Sequence, residues 1–268
     1  MSRPLSDALP LLSAALRAGH PLLLFCDFDG TLVEINDTPF DVFPLPTVQA
    51  ALARIAAHPQ ATVAIVSGRD LADLKPRVGV DGIAYAGNHG LEIHGAGFEF
   101  TEPTADSLRA ALNEIVTQLA DAVRTMPGAW VQFKGLTATV HHRQTPADAV
   151  PELTATVQRL IAPYTDRFAL KTGKMVLEVR PLVDWHKGHA VHWLTERFAI
   201  DHPEPIAVFL GDDVTDEDAF AMLPHGVTVL VGPPRPTAAR YRVDQPTDVA
   251  AFLGWLDREL TGGEAKAF

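Results

Sequence analysis

The feature that most constrains the fold is an apolar run, PLLLFC at residues 21–26, that ends directly at two aspartates, Asp27 and Asp29. An uninterrupted apolar run of this length is typical of a strand that is buried on both faces. Two carboxylates placed so close together repel each other, and each loses solvation where the strand end is buried. A cation must therefore offset these charges at the end of this strand.

Apolar runs that end in polar residues or glycine recur along the chain and indicate further buried strands. These runs are ATVAIVSGR at 61–69, IAYAGNHG at 83–90, PIAVFLGDD at 205–213 and VTVLVG at 227–232. Helical segments alternate with them at 50–58, 70–78, 186–198 and 246–260. This alternation predicts an α/β fold of the Rossmann-like kind, with a parallel sheet covered by helices on both faces.

Between residues 105 and 184 the pattern changes to helix, two strands, helix, two strands. The first helix has apolar residues at helical spacing, namely Leu108, Leu112, Ile115, Leu119, Val123 and Met126. Turns are expected at Gly135 and Gly173, each between two strands. The order predicts an α+β unit at 105–184, inserted into a core formed by residues 1–104 and 185–268.

Composition limits the partners and the compartment. The formal net charge of −11 repels nucleic acid and anionic lipid, so neither a nucleic acid nor a membrane is expected as a partner. Cys26 is the single cysteine, which excludes a disulfide within the chain and fits a reducing compartment. Without a secretory pattern or a run long enough to span a membrane, we expect a cytoplasmic monomer that acts on a small molecule.

The polar clusters of the predicted core should meet at one edge of the sheet. In an open parallel sheet, ligands bind beyond the carboxyl ends of the strands, where DFDGT, SGR and GDDVTDED lie; Lys187 opens the helix after the insertion. The fold would thus gather five carboxylates: Asp27, Asp29, Asp212, Asp213 and Asp216. An all-oxygen ligand set without cysteine or paired histidine favours Mg²⁺.

These residue types suit phosphoryl transfer. Asp27 and Asp29 would face the same side of an extended chain, so one carboxylate could attack phosphorus while the other transfers protons. Ser67 and the N–H groups of residues 67–69, just before a helix, could hold phosphate oxygens. Gly30 and Gly68 would allow the backbone to approach closely. Taken alone, the Asp-Gly pair would favour a turn; the other polar clusters at strand ends favour catalysis.

The ordered set DFDGTL, SGR, the lysine of HKG and GDDVTDE resembles the four motifs of the haloacid dehalogenase superfamily of phosphatases. The resemblance implies a nucleophile at Asp27 and an acid/base at Asp29. It also implies roles for further residues: phosphate contacts from Thr31, Ser67, Gly68 and Lys187; Mg²⁺ on Asp27, the main chain of Asp29, and Asp212; and support from behind these ligands by Asp213 and Asp216.

A closer resemblance, over nearly the whole chain, is to the trehalose-6-phosphate phosphatases. It rests on DFDGTLVEINDTPF, AGNHGLE, VQFKGLTATVHHR and TGKMVLEVRP. It implies that the insertion is a mobile cap that closes over the sugar and excludes water. Lys134 and Glu178 would then contact trehalose hydroxyls, with Arg69 and Asn88 near the seam between cap and core.

The chain departs from this family at two positions, and other functions stay open. The family's Glu-x-Lys is Gln132-Phe133-Lys134 here, and its His-Tyr-Arg is His141-His142-Arg143. The alternatives are a phosphatase of another phosphorylated sugar, such as sucrose 6-phosphate, a phosphosugar mutase, or a non-catalytic phosphosugar sensor. His141 and His142 face opposite sides of a strand and are expected to be structural.

Two further sets of residues are expected to have ordinary roles. Cys26 should pack in the core, pointing away from Asp27. Arg235 and Arg240, in the segment PPRPTAAR, are expected to be surface charges.

Overall fold

The computed structural model describes residues 2–36, 41–173, 175–200 and 204–262. The chain divides into two compact units, which we name the core unit (Met1–Phe100 and Trp185–Phe268) and the inserted unit (Thr101–Asp184). The first boundary therefore lies at 100/101 rather than at the expected 104/105, and the second lies at 184/185.

The core unit is built on a sheet whose order is β1-β13-β12-β11-β2-β3-β4-β5-β6. Its strands are β1 (Arg3–Pro4), β2 (Leu22–Cys26), β3 (Ala61–Val66), β4 (Ala84–Gly87), β5 (Glu92–Gly95), β6 (Phe98–Thr101), β11 (Ile206–Gly211), β12 (Val227–Val231) and β13 (Tyr241–Val243). In the sheet, the seven strands from β1 at one edge across to β4 are all parallel to their neighbours. The predicted α/β class with a parallel-dominated sheet is confirmed.

Helices cover both faces of this sheet. They are α1 (Leu9–Arg17), α2 (Pro46–Ala57), α3 (Leu71–Val78), α7 (Lys187–Ala199), α8 (Glu217–Met222) and α9 (Pro246–Thr261). Alternate residues of β2 enter different apolar clusters. Leu22, Leu24 and Cys26 pack with α2 and α9, whereas Leu23 and Phe25 pack with α7 and α8. This alternation explains why every residue of β2 is apolar, and it confirms that Cys26 is a core residue.

The described residues of the inserted unit form an antiparallel sheet of order β7-β8-β10-β9 and three α-helices. Its elements are α4 (Pro103–Ser107), α5 (Arg109–Val123), β7 (Trp130–Phe133), β8 (Ala138–His141), α6 (Val150–Ile161), β9 (Phe168–Gly173) and β10 (Val176–Pro181). Four of the six residues predicted at helical spacing, from Leu112 to Val123, are fully buried against the sheet, and Leu108 and Met126 are partly buried. One face of the sheet is thus covered by α5 and α6.

The structure also contains strands that the sequence did not indicate. Residues 92–101 form β5 and β6, where the sequence pattern indicated no element, and β5 pairs antiparallel with β4. These strands alternate polar and apolar residues over four positions each, a signal too short to identify them. No described helix has both the length and the apolar character needed to cross a membrane.

Candidate active site

Asp27 lies immediately after β2, between two neighbouring strands of the sheet. Its N–H donates to the carbonyl of Leu210 in β11 at 2.9 Å, which fixes its backbone. Its side chain is almost fully buried, and Oδ1 accepts a hydrogen bond from Lys187 Nζ at 2.8 Å. The carboxylate is therefore held in one orientation at the carboxyl edge of the sheet.

Lys187, the first residue of α7, supplies the cation that the sequence required. Its ammonium is buried and donates to Asp27 Oδ1 at 2.8 Å and to Asp216 Oδ1 at 2.7 Å. Burial opposes its charge, but attraction from Asp216 and Asp27 outweighs this, so the pKa of Lys187 is raised. The lysine therefore stays charged in the interior.

Asp216 links this lysine to residues 212–216, the segment after β11 that we name the acidic loop. Its Oδ2 accepts hydrogen bonds from the N–H groups of Asp212 and Asp213 at 3.1 and 3.0 Å. Asp213 itself is exposed, and its Oδ1 accepts from the N–H of Val214 at 2.7 Å. Of the two acids expected to act from behind the ligands, Asp216 is thus the central one, whereas Asp213 caps its own turn.

One carboxylate oxygen from each of Asp27, Asp212 and Asp216 lies within 4.8 Å of the other two, close enough to hold a metal ion. Oδ1 of Asp212 is buried with no hydrogen-bond partner among the described residues. Burial, followed by repulsion from Asp216, raises the pKa of Asp212 to about 7; burial likewise raises that of Asp27. A hard divalent cation would relieve both effects, so these all-oxygen donors fit Mg²⁺.

Gly30 makes room for this arrangement. Its φ of +81° lies in the left-handed region, and a Cβ there would come within 2.2 Å of Asp212 Oδ2. Glycine is therefore required both by the backbone conformation and by the close approach of the carboxylate.

Asp29 has a different partner from Asp27. Its two carboxylate oxygens accept from Nη2 and Nε of Arg69, both at 2.7 Å, and the side chain is 44% exposed. β2 ends at Cys26, and the chain bends at Phe28, between the two aspartates. Arg69 also donates to Asp73 at 2.6 Å, which anchors the guanidinium to α3.

Apart from Lys187 in α7, the residues expected to contact phosphate lie in the loops that follow β2 and β3. Thr31 is fully buried, and its Oγ1 has no hydrogen-bond partner among the described residues. Ser67 is buried at the end of β3, and its Oγ accepts from the N–H of Arg69 at 3.2 Å. A Cβ on Gly68 would lie 2.6 Å from the ring of His89, so this glycine also serves local packing.

Asn88 braces the Ser-Gly-Arg loop. Its N–H donates to the carbonyl of Arg69 at 2.7 Å, and its Nδ2 donates to Glu92 Oε1 at 2.7 Å. The residue is fully buried with a positive φ of 49°. Asn88 was expected near the substrate; here it holds the loop that carries Arg69.

In the inserted unit, Lys134 and Glu178 lie together. Lys134 Nζ is 3.6 Å from Glu178 Oε1, and Glu178 Oε2 accepts from Arg180 Nη2 at 2.5 Å. Both Lys134 and Glu178 are mostly buried, with side-chain exposures of 13% and 10%. The strand register places Gln132, Thr139 and Glu178 in one row, on the face opposite the apolar cluster.

His141 is bound into the same sheet by two neighbours. Its ring stacks on Trp130 with centroids 3.8 Å apart, and its Nε2 lies 3.0 Å from Gln132 Oε1. Because an amide oxygen can only accept, Nε2 carries the proton. Burial, followed by the charge of Lys134, lowers the pKa of His141 to about 4. The structure thus gives a physical role to Gln132, one of the two departures from the family pattern.

The expectation of a surface charge is confirmed for Arg240, which is exposed, but is wrong for Arg235, which is half-buried. Arg235 donates to the main-chain carbonyls of Asp212 and Asp213 at 3.2 and 3.1 Å and pairs with Glu217. Arg240 donates to the carbonyl of Gly226 at 3.0 Å and lies over the ring of Tyr241. Neither contact is visible in sequence, since both depend on which loops meet at the sheet edge.

Comparison with known proteins agrees with these features. The sequence model of the trehalose-phosphatase family matches residues 25–247. The chain is 39% identical over 266 residues to a trehalose-phosphate phosphatase of Mycobacterium marinum, covering 96% of this chain and 67% of that protein. The resemblance inferred from the motifs is therefore confirmed.

Solved structures agree on the fold. A trehalose-6-phosphate phosphatase related protein superposes with a TM-score of 0.78 at 24% identity, covering 90% of this chain and 98% of that one. A haloacid dehalogenase-like hydrolase from Bacteroides thetaiotaomicron superposes with a TM-score of 0.61 at 15% identity, covering 88% and 98%.

The environment of His141 predicts its titration. We expect its imidazole to titrate near the lowered pKa of about 4, because burial and Lys134 oppose the charged form. Gln132→Glu should raise this pKa by about one unit or more, since a carboxylate would stabilise the imidazolium. The measurement is an NMR titration of the histidine ring signals, assigned with His141→Gln.

The same shift has a consequence for stability. Between the usual value of 6.5 and about 4 the unfolded chain binds the proton and the folded chain does not, so stability should fall as pH drops through this window. His141→Gln should flatten that slope. A ring that titrates near 6.5 in the parent protein would contradict the assignment.

Proposed function

Because the chain belongs to the trehalose-phosphatase family, we propose that it hydrolyses trehalose 6-phosphate to trehalose and phosphate. The observation that carries the proposal is the buried Lys187 ammonium, which binds Asp27 and Asp216 together beside Asp212. A buried cation fixed among carboxylates is suited to receive a phosphoryl group and to neutralise its oxygens.

In the proposed reaction, Asp27 is the nucleophile. A carboxylate oxygen of Asp27 forms a bond to phosphorus, and the bond from phosphorus to the sugar oxygen breaks. Asp29 gives a proton to the departing sugar oxygen, for which its carboxyl group must first leave the two Arg69 donors that it accepts from in the structure. Water then attacks the aspartyl-phosphate and passes a proton to Asp29, which releases phosphate and regenerates both side chains.

The phosphoryl oxygens would be held by Lys187, Thr31, Ser67 and the N–H groups around Gly68. Two features support this set. Thr31 Oγ1 is buried without a partner among the described residues, so it can donate to an anion. The N–H groups beyond Ser67 precede α3, where the helix dipole favours negative charge.

We propose Mg²⁺ as the metal, held by Asp27, the main-chain carbonyl of Asp29, and Asp212. When bound, it would neutralise charge on the phosphoryl oxygens. Asp216 would hold the acidic loop through the two hydrogen bonds that its Oδ2 accepts from the N–H groups of Asp212 and Asp213. Asp213 would cap that loop. The divalent character follows from the oxygen donors, and Mg²⁺ is the choice that best suits few carboxylates and a phosphate.

Residues 105–184, which make up most of the inserted unit, would act as the cap that recognises the sugar. Lys134 and Glu178, whose Nζ and Oε1 lie 3.6 Å apart, offer a donor and an acceptor side by side, which suits hydroxyl groups. Arg69 and Asn88 would support this recognition from the core unit. A cytoplasmic location and a monomeric state stay predictions from the sequence.

Phosphate release tests the reaction directly. We expect Mg²⁺-dependent release from trehalose 6-phosphate, with far less from sucrose 6-phosphate or glucose 6-phosphate. Asp27→Asn should lower the rate by at least about 10³-fold, since it removes the nucleophile and keeps the shape. The assay is a phosphate determination with Mg²⁺ and with chelator.

Other results would select other functions. Release from a different sugar phosphate would keep the chemistry and reject the trehalose assignment. Binding of trehalose 6-phosphate without release, with Asp27→Asn equal to the parent, would reject the enzyme and favour a sensor.

Glu178 tests the role of the inserted unit. Glu178→Ala should lower kcat/KM for trehalose 6-phosphate by about 10–100-fold, the loss expected for a hydrogen bond to a charged acceptor, and leave 4-nitrophenyl phosphate within about twofold. Glu152→Ala, an exposed glutamate on α6, is the matched control and should change neither. Equal losses on both substrates in Glu178→Ala would reject a sugar contact.

A further inference from the structure

Arg235 lies in the segment that follows β12, at the same edge of the sheet as the acidic loop. It stands between Pro234 and Pro236 in the sequence Gly-Pro-Pro-Arg-Pro. The rings of these prolines restrict the backbone on both sides of Arg235, which limits the directions in which its side chain can extend. Its side chain is 28% exposed.

The guanidinium contacts the acidic loop at three places. Nη2 donates to the carbonyl oxygens of Asp212 and Asp213 at 3.2 and 3.1 Å. Nη1 donates to Glu217 Oε1 at 2.5 Å. The planar fork of arginine is suited to bind several acceptors at once, which a lysine ammonium cannot do with the same geometry.

Glu217 is in turn fixed by the segment that carries the arginine. Its Oε2 accepts from the N–H of Ala238 at 2.7 Å and from Thr237 Oγ1 at 3.1 Å. Both carboxylate oxygens of Glu217, the first residue of α8, therefore accept hydrogen bonds from the segment 235–238. This closes a ring of contacts around the carbonyl groups of the acidic loop.

The loop is held from its other side by Asp216. The N–H groups of Asp212 and Asp213 donate to Asp216 Oδ2, and Asp216 Oδ1 accepts from Lys187. The backbone of Asp212 is thus bound at its N–H by Asp216 and at its carbonyl by Arg235. A backbone movement that carried Asp212 away from Asp27 would have to break these bonds.

We propose that Arg235 is a positioning residue that holds the acidic loop so that Asp212 faces Asp27 and binds the divalent cation. The inference rests on the metal site of the proposed function and assigns no contact with substrate. The ion pair of Arg235 with Glu217 is open to solvent on one side, and pairs near the surface contribute little to stability. The two bonds to loop carbonyls give Arg235 its role.

Electrostatics and positioning predict opposite effects when Arg235 is removed. Loss of a positive charge near the site would by itself strengthen cation binding. Loss of the two hydrogen bonds from Arg235 to the carbonyls of Asp212 and Asp213 would weaken cation binding, because the acidic loop would no longer be fixed. A fall in metal affinity therefore isolates the positioning role.

The test measures Mn²⁺ binding to the full chain without substrate, by titration calorimetry and by the EPR signal of free Mn²⁺. Arg235→Ala should raise the Kd by about 10–100-fold, the range found when partners behind metal ligands are removed. Arg235→Lys, which keeps the charge but loses the fork, should also raise it. Arg240→Ala is the matched control and should leave the Kd unchanged, since Arg240 donates to the carbonyl of Gly226.

Each result decides the inference. If Arg235→Ala and Arg235→Lys bind Mn²⁺ as the parent does or more tightly, or if Arg240→Ala loses as much affinity, the positioning role is wrong. A parent that binds no Mn²⁺ would overturn it together with the metal site. If thermal melting shows that Arg235→Ala does not fold, Arg235→Lys alone decides, because it keeps the charge and removes the planar fork.

The proposed function can fail separately. A parent that binds Mn²⁺ but releases no phosphate from trehalose 6-phosphate would reject the reaction, while the Kd values of the variants would still test Arg235.

Discussion

The buried ammonium of Lys187 is the interaction on which the site depends. It donates to Asp27 and Asp216, which come from different strand ends, and both partners are nearly inaccessible to water. Without it, buried carboxylates would face one another in a poorly solvated space, and each would favour protonation. With it, the carboxylates, the acidic loop and the end of β2 share one fixed geometry. The nucleophile, the metal ligands and the phosphate contacts in our account all take their places from this cation.

The fold assembles this site from segments that are far apart in sequence. Asp27 and Lys187 are separated by 160 positions, and the whole inserted unit lies between them. Parallel strands bring their carboxyl ends to one edge, so β2, β3 and β11 deliver Asp27, Ser67 and Asp212 there. Supporting contacts then fix the loops: Asn88 braces the Ser-Gly-Arg loop, and Arg235 the acidic loop.

Sequence patterns were sufficient where the signal is long or chemically rare. The buried run before Asp27 predicted β2, and the helical spacing from Leu112 to Val123 predicted α5. They failed where the contact is tertiary. Arg235 was expected at the surface, because nothing near it in sequence reveals the carbonyls of Asp212 and Asp213. The strands β5 and β6 were missed because each is only four residues long. Residues 37–40, the end of the family-like segment DFDGTLVEINDTPF, lie outside the described residues.

The central claim is that Lys187 neutralises the buried carboxylates, and its direct test is the stability of Lys187→Met in chelator. This substitution keeps most of the volume and removes the charge. Urea unfolding should show a loss of about 3–5 kcal/mol, the cost of leaving buried charges unpaired, and adding Asp216→Asn should recover part of it. Lys171→Met, at an exposed lysine, should stay within about 0.5 kcal/mol of the parent. A Lys187→Met protein as stable as the parent would contradict the account.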